Sequence, residues 1–221
     1  MGRLTRAPAL PETTADRLNY WDRYYARPAG AQRQLPSQFA TFVAGELGGP
    51  RRVIEFGCGS GRDSLFFASH GHDVTGVDGS ESAVEGCRAL AEQLGEAASF
   101  VHARIDDPDL VNQLKGPDAP LALYARFFVH AITDDEERAF LDLTAELTRP
   151  GDLLAVEYRT VRDARGAKVT EGHFRRFVTP STFEARALSR GFDVTYAVEG
   201  FGFAKYGEDD AYVARELFTK R

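Results

Sequence analysis

Three glycines on alternate positions, Gly57, Gly59 and Gly61, follow a short apolar run at 53–56 and precede a helical pattern. Glycine has no Cβ, so a ligand can lie against bare backbone there, and the first N–H groups of the helix have no partner within the helix. A second strand pattern then ends at Asp78, on the carboxyl edge where open α/β sheets bind ligands. A carboxylate there can accept hydrogen bonds from both hydroxyls of a ribose. The segment predicts a site for an adenosine-containing cofactor.

The glycine spacing separates two kinds of cofactor. Dinucleotide sites use G-x-G-x-x-G, whereas this chain has G-x-G-x-G with Glu55 just before it and Asp63 just after it. Two carboxylates beside the turn suit a cationic ligand. The structural alternative is a tight strand–helix turn whose glycines serve packing alone, and the strand, the helix and Asp78 together argue against it.

The segment E-F-G-C-G-S-G followed by G-V-D resembles motif I and the acidic loop of class I S-adenosylmethionine-dependent methyltransferases. Its G-R-D-S-L continuation is similar to the small-molecule branch that includes tellurite and thiopurine methyltransferase-like proteins. The resemblance implies S-adenosyl-L-methionine as cofactor, with the glycines along its methionine part and Asp78 on its ribose. The residues predicted to bind the cofactor are Tyr20, Trp21, Glu55, Gly57, Cys58, Gly59, Gly61, Asp63, Asp78, Gly79, Ser80, Asp106, Ala125 and Arg126.

The resemblance also implies an α/β fold: a Rossmann-like, seven-stranded, mostly parallel sheet with helices on both faces and an antiparallel last strand inserted between strands five and six. A chain of 221 residues can bury one such core. We predict a flexible N-terminus at 1–14 and a single methyltransferase domain at 15–221. Within that domain, 15–50 form a helical cap or lid and 51–221 form the Rossmann-like core.

The first helix of the cap, predicted at 15–26, carries a cluster of aromatic residues that includes Tyr20, Trp21 and Tyr24. One interpretation is packing of a helical face against the sheet. The other is closure over the cofactor, where a ring facing the sulfonium is favoured by cation–π attraction. The sequence leaves both open.

The acceptor side is predicted from the segment Y-A-R-F-F-V-H at 124–130, which falls where the family delivers residues to the reacting methyl group. Its departure from N-P-P-Y argues against glutamine and nucleobase amines as acceptors. An aromatic, glycine-rich stretch at 200–207 is predicted as a loop between two strands, either a wall of the acceptor pocket or a hairpin tip. The candidate catalytic residues are His130 and His173 as general bases, with Arg126, Tyr158, Arg175 and Arg176.

Each candidate also has a plainer interpretation. A lone histidine is more often structural, and single arginines are more often solvated or paired with carboxylates. Together, however, the guanidinium groups favour an acceptor that carries an oxyanion. We therefore expect methyl transfer to oxygen of an anionic small molecule. The alternatives are S- or N-methylation of a thiol, chalcogen or amine, a non-catalytic S-adenosylmethionine-binding protein, and an NAD-dependent oxidoreductase, which the glycine spacing disfavours.

Composition limits the partners. The net charge is −6, from 33 acidic and 27 basic residues without a basic run, which disfavours nucleic acid. The two cysteines form no C-x-x-C pair, and neither a signal peptide nor an 18-residue apolar run occurs. We expect a cytoplasmic protein that uses no metal and no membrane, and the sequence does not predict its oligomeric state.

Overall fold

The computed structural model describes residues 13–26, 35–164, 174–206 and 209–221. In these ranges a seven-stranded sheet has the order β3-β2-β1-β4-β5-β7-β6. The strands β1 to β5 are parallel, and β7 runs antiparallel to both β5 and β6. The predicted fold class is therefore confirmed. The strands are β1 Arg52–Phe56, β2 Asp73–Asp78, β3 Ala98–His102, β4 Leu121–Arg126, β5 Leu153–Arg159, β6 Phe192–Tyr206 and β7 Asp209–Lys220.

Helices cover both faces of the sheet, and their ends follow capping chemistry. Thr13 and Asp16 form a capping box at the start of α1, and Thr133 with Glu136 does the same for α6. The Ser80 hydroxyl accepts a hydrogen bond from the Ala83 N–H and caps α4. The helices are α1 Thr14–Tyr25, α2 Gln38–Glu46, α3 Arg62–Ser69, α4 Glu81–Leu94, α5 Leu110–Leu114, α6 Asp134–Leu147 and α7 Pro180–Leu188.

The core lies on the two faces of the sheet because neighbouring strand residues point to opposite sides. Val53 packs with Phe39 of α2 and Phe67 of α3. Ile54, the next residue, packs with Phe140 of α6 on the other face. Burial of both faces leaves the carboxyl ends of the parallel strands as the place for a site.

The prediction of a loop at 200–207 is wrong for 200–206. These residues continue β6, which pairs with β7 at Ala204 and Ala211. A register shift between Gly200 and Ala204 takes up the glycine-rich stretch, and Gly202 has a φ of 82° that other residues rarely adopt. The strand continues because a local bulge, rather than a turn, absorbs the glycines.

Among the helices that the structure describes, none combines the length and the apolar character that crossing a bilayer requires.

Candidate active site

A cavity of about 400 Å³ opens at the carboxyl edge of the sheet, between α1 and the ends of β1, β2, β4 and β5. It is large enough for a cofactor-sized ligand. The predicted site residues that line it are Trp21, Glu55, Gly57, Cys58, Gly59, Asp63, Asp78, Gly79, Ser80, Arg126, His130 and Arg175.

Hydrogen bonds to a backbone carbonyl and a carboxylate of β2 hold the glycine turn against this strand. The N–H groups of Gly57 and Cys58 donate to the Val77 carbonyl at 2.8 and 3.1 Å. The Gly59 N–H donates to Asp78 Oδ2 at 2.9 Å, and the Ser80 N–H donates to Asp78 Oδ1 at 2.9 Å. Burial raises the pKa of Asp78 although these bonds favour its charged form. Asp78 therefore joins the turn to the start of α4 and presents its carboxylate at the cavity.

The pKa values of the two carboxyl groups beside the turn are shifted in opposite directions. Burial and the neighbouring charge of Asp63 raise the pKa of Glu55 well above its ordinary value, and the Ser64 hydroxyl donates to Glu55. Burial also opposes the charge of Asp63, but Arg62 and the bonds from Ser37 bring its pKa below the ordinary value. The Ser37 N–H and hydroxyl donate to Asp63 at 2.8 and 2.7 Å, and the Tyr124 hydroxyl donates at 2.8 Å. Asp63 thus anchors the start of α2 and is the anionic member of this pair.

Helix α1 lies across the cofactor end of the cavity and is held at two points. The Asp22 carboxylate accepts from the Ser80 hydroxyl at 3.0 Å and the Ser82 N–H at 2.9 Å. Arg17 donates to both carboxylate oxygens of Glu136, at 2.8 and 2.9 Å. These contacts fix α1 on the sheet edge, where Trp21 lies in the cavity wall.

Tyr25 also lines the cavity and was missed by the sequence reasoning. Its ring stacks on that of Trp21 at a centroid distance of 6.0 Å, and its phenol lies over Gly59. The i,i+4 spacing of Trp21 and Tyr25 puts both rings on one helical face, which is the signal that could have identified it. Tyr20 does not line the cavity. Its ring makes a T-shaped contact with the ring of Trp21, at a centroid distance of 5.1 Å.

We expect Gly59→Ala to weaken cofactor binding about tenfold or more, because a Cβ there would displace the Tyr25 phenol and fill space beside the bare backbone. Gly95→Ala is the matched control, since Gly95 has a φ of 67° against 55° for Gly59 and open space around its Cβ position. Both variants carry similar left-handed strain, roughly 1–2 kcal/mol. Calorimetric titration with S-adenosylmethionine checks the difference, and equal affinities for the two variants would contradict it.

At the ends of β4 and β5, two guanidinium groups lie near one aromatic ring. Arg126 lies 4.3 Å and Arg159 lies 5.5 Å from the ring centroid of Phe127. Phe127 has a φ of 57°, a left-handed conformation that costs about 1–3 kcal/mol for a residue with a Cβ. Its N–H donates to the Glu157 carbonyl at 2.8 Å, which holds the turn after β4 in this conformation. Phe127 and Arg159 both line the cavity.

Buried carboxylates hold these arginines in place. Arg126 Nε donates to Glu157 Oε1 at 2.9 Å, and Arg159 forms ion pairs with Asp163 at 2.7 Å and with Asp209. Arg175 also lines the cavity, and burial together with the charge of Arg159 lowers its pKa.

Two of the candidate catalytic residues lie elsewhere. Tyr158 is fully buried in the core against Phe183, and its hydroxyl donates to Glu216 at 2.7 Å. Arg176 donates to the carbonyls of Val129 and Ile132 at 2.9 and 2.8 Å and pairs with carboxylates of α6. The expectation that these two side chains face the acceptor is corrected, because internal partners hold them and neither lines the cavity.

Three predicted cofactor residues are also placed outside the cavity lining. Ala125 is fully buried in the core. A Cβ on Gly61 would meet the Cys87 sulfur at 2.8 Å, so this glycine serves the packing of the turn on α4. Asp106 pairs with Arg104, whose Nε donates at 2.8 Å, on the protein surface. His173 lies outside the described residues.

The burial of Glu216 predicts a pH effect on stability. Burial raises the pKa of Glu216 from its ordinary value of 4.5 to about 8, so the folded protein favours the neutral carboxyl. Stability from this group is present below pH 4.5 and is lost as the pH rises through 8, by roughly 1 kcal/mol per pH unit. Glu216→Gln, which cannot ionise, should therefore gain stability over the parent between pH 5 and 8. Urea unfolding at several pH values checks this, and parallel curves would contradict it.

Within the described ranges, no three His, Cys, Asp or Glu side chains come together in a way that could hold a metal ion.

Comparison with known proteins agrees with this geometry. Residues 53–151 match the family described as "Methyltransferase domain". An O-antigen chain terminator bifunctional methyltransferase/kinase of Escherichia coli is 31% identical over 133 residues, which are 58% of this chain and 18% of that protein. Glycine N-methyltransferase of Oryctolagus cuniculus is 29% identical over 173 residues, covering 69% of this chain and 56% of the relative. The chain thus spans less than two thirds of the length of either relative.

Among solved structures, a SAM-dependent methyltransferase from Anabaena variabilis superimposes with a TM-score of 0.74 at 17% identity, covering 98% of this chain and 99% of the other. At this identity the likeness concerns the fold.

Proposed function

We propose that the chain transfers a methyl group from S-adenosylmethionine to an oxygen atom of an anionic small molecule by direct in-line displacement, and the match of residues 53–151 to a family described as "Methyltransferase domain" supports this proposal. The observation that carries the proposal is the division of one cavity into an end with the glycine turn, Asp63 and Asp78 and an end with Arg126, Arg159 and Arg175. A cationic donor suits the first end and an anionic acceptor suits the second.

The residues of the first end fit the cofactor. Gly57 and Gly59, the carboxylates of Asp63 and Asp78 and the ring of Trp21 line the same space. When bound, S-adenosylmethionine supplies a methyl group on a sulfonium, which makes that methyl electrophilic. The protein contributes the position of the acceptor and the exclusion of water by α1, and good orientation is worth up to about 7–11 kcal/mol.

The acceptor end supplies orientation through Arg126, Arg159 and Arg175. Guanidinium forks hold carboxylates and phosphates in a fixed direction, and cation–π contact with the ring of Phe127 helps to hold two of these guanidinium groups in place. The narrower resemblance to tellurite and thiopurine methyltransferase-like proteins remains a prediction. So do the cap at 15–50, the core at 51–221 and the cytoplasmic location, which the free, buried Cys58 and Cys87 suit.

N-methylation of an amino acid is the second candidate, favoured by the match to a glycine N-methyltransferase over 69% of this chain. The arginines would then bind the carboxylate of the acceptor while its neutral amine attacks. Methylation of a thiol or chalcogen and non-catalytic cofactor binding complete the alternatives.

The test is incubation of the protein with S-adenosylmethionine labelled in its methyl group and panels of acids, alcohols, phenols, thiols and amines, followed by mass spectrometry. We expect a gain of one methyl group on an anionic acceptor. Calorimetric binding of NAD with no binding of S-adenosylmethionine would refute the proposal at its first step.

A further inference from the structure

We infer that the accepting atom is an oxygen of the acceptor's own carboxylate, so that the product is a methyl ester and no proton has to be removed. The inference rests on the proposed function and specifies its substrate class. Three observations carry it: the hydrogen bonds that the acidic side chains around the cavity already accept, the hydrogen bond that His130 Nδ1 accepts, and the pair of guanidinium groups near the ring of Phe127.

The acidic side chains that line the cavity already accept hydrogen bonds from the protein. Asp78 accepts from two backbone N–H groups, and Asp63 accepts from Ser37 and Tyr124. Glu55 accepts from the Ser64 hydroxyl, and burial raises its pKa well above the ordinary value, which favours the protonated carboxyl. Glu136 binds Arg17 and also caps α6, while Asp209 pairs with Arg159. A carboxylate held by such donors is a weak proton acceptor, because protonation would break charge-assisted bonds.

His130 was predicted as a general base, and its hydrogen bond argues for another role. Its Nδ1 accepts a hydrogen bond from the Arg159 N–H at 3.1 Å, and the residue is 5% exposed. A neutral imidazole that accepts at Nδ1 carries its proton on Nε2. Uptake of a further proton at Nδ1 would break the bond to Arg159, so His130 positions β5 and its arginine rather than removing a proton. His130 is a positioning residue in this scheme.

The Tyr25 hydroxyl at the cofactor end is also a poor general base, like His130. Burial and the charge of Asp78 raise the pKa of Tyr25 well above its ordinary value, which keeps the hydroxyl protonated. The described wall of the cavity is thus built to bind an anion and not to create one. An alcohol or phenol would need deprotonation, whereas a carboxylic acid arrives as a carboxylate at neutral pH.

Arg126 and Arg159 suit this nucleophile. Their guanidinium groups lie on the ring of Phe127 and are fixed by Glu157, Asp163 and Asp209. Each carboxylate oxygen has two lone-pair directions, so one can meet a guanidinium N–H while another attacks. An oxygen–carbon bond forms, the carbon–sulfur bond breaks, and its electron pair remains on sulfur, which becomes a neutral thioether. No proton is exchanged, and the charges balance.

The first test uses matched acceptors. Benzoate and octanoate are compared with benzyl alcohol, octanol, phenol, thiophenol and benzylamine in the presence of methyl-labelled S-adenosylmethionine. We expect label from the carboxylates that mild alkali releases as methanol, since esters hydrolyse where ethers, thioethers and amines do not. Label in alkali-stable products alone would overturn the inference and leave the proposed methyl transfer standing. An absence of label in every class, with S-adenosylmethionine still bound, would reject the proposed function and the inference together.

The second test separates positioning from base catalysis. For the labelled carboxylate we expect kcat/KM to be flat between about pH 6 and pH 9, because the acid is ionised throughout. His130→Asn, whose carbonyl oxygen can still accept from the Arg159 N–H, should retain activity within about tenfold, and His130→Ala should lose more. Loss of a true general base costs about 100-fold or more. A fall in kcat/KM at low pH, with a midpoint near the pKa of histidine and absent in His130→Asn, would overturn the inference.

Discussion

Replacement of Asp78 by alanine should weaken S-adenosylmethionine binding about 100-fold. Asp78 accepts from the Gly59 and Ser80 N–H groups and lies in the cavity wall, where we propose that it receives the ribose hydroxyls. A hydrogen bond to a charged group contributes roughly 1.5–3 kcal/mol, and 1.4 kcal/mol corresponds to tenfold in affinity. The variant also frees the glycine turn from β2, so both the ligand contact and the shape of the turn are lost. Calorimetric titration measures the change.

Asp73→Ala is the matched control for this experiment. Asp73 begins the same strand, is exposed and lies at the opposite end of β2 from the cavity. The control removes the same charge from the same strand, so a general effect of net charge would appear in both variants. Equal affinities of Asp78→Ala and the parent protein would exclude Asp78 from the cofactor site.

Replacement of Glu157 by alanine should lower the free energy of unfolding by about 3–5 kcal/mol, the usual result of removing one member of a buried ion pair. Glu157 is fully buried and pairs with both Arg126 and Arg215. Without it, two guanidinium groups remain in a region of low polarity. The substitution also releases Arg126 from its position beside Phe127, so the acceptor KM should rise more than the cofactor Kd. Urea unfolding and steady-state kinetics measure the two effects.

Asp135→Ala is the control for the Glu157 experiment. It breaks the surface ion pair with Arg138 near the start of α6. Exposed pairs are screened by water, so its cost should stay below about 1 kcal/mol. Glu157→Gln keeps the size and one acceptor oxygen and should fall between the two. A stability loss for Glu157→Ala no larger than that of Asp135→Ala would contradict the assignment of Glu157 as the internal counter-charge.

Local signals in the sequence were sufficient to predict the helices, the strands and the cofactor end of the site. Thr133 with Glu136 and Ser80 with Ala83 set helix starts through bonds across a few residues. The alternate glycines and Asp78 are close in the chain, and strand–turn–helix geometry alone brings them together. These features depend on contacts between residues that are close in the chain, so the sequence pattern is sufficient to predict them.

Two features of the fold depend on contacts that local sequence patterns do not predict. The residues 200–206 were predicted as a loop because glycines usually interrupt strands, but β7 offers a long partner on which a bulge is tolerated. Tyr158 was predicted at the acceptor because it lies near the end of β5, yet its buried hydroxyl finds Glu216 on the neighbouring antiparallel strand. The Tyr158 contact depends on a partner more than fifty residues away. The continuation of β6 depends on a register that only its pairing with β7 defines.

The amino-acid sequence by itself determined the βα turn, the alternation that buries both faces of the sheet, and the acidic residue at the tip of β2. Only the tertiary structure decided which of the arginines face the cavity, since Arg175 lines it while Arg176 beside it is bound by α6. It also brought a backbone N–H of β5 to His130 Nδ1. The physical reason is that a side chain's charge and direction are set by its partners in space, and distant segments supply those partners.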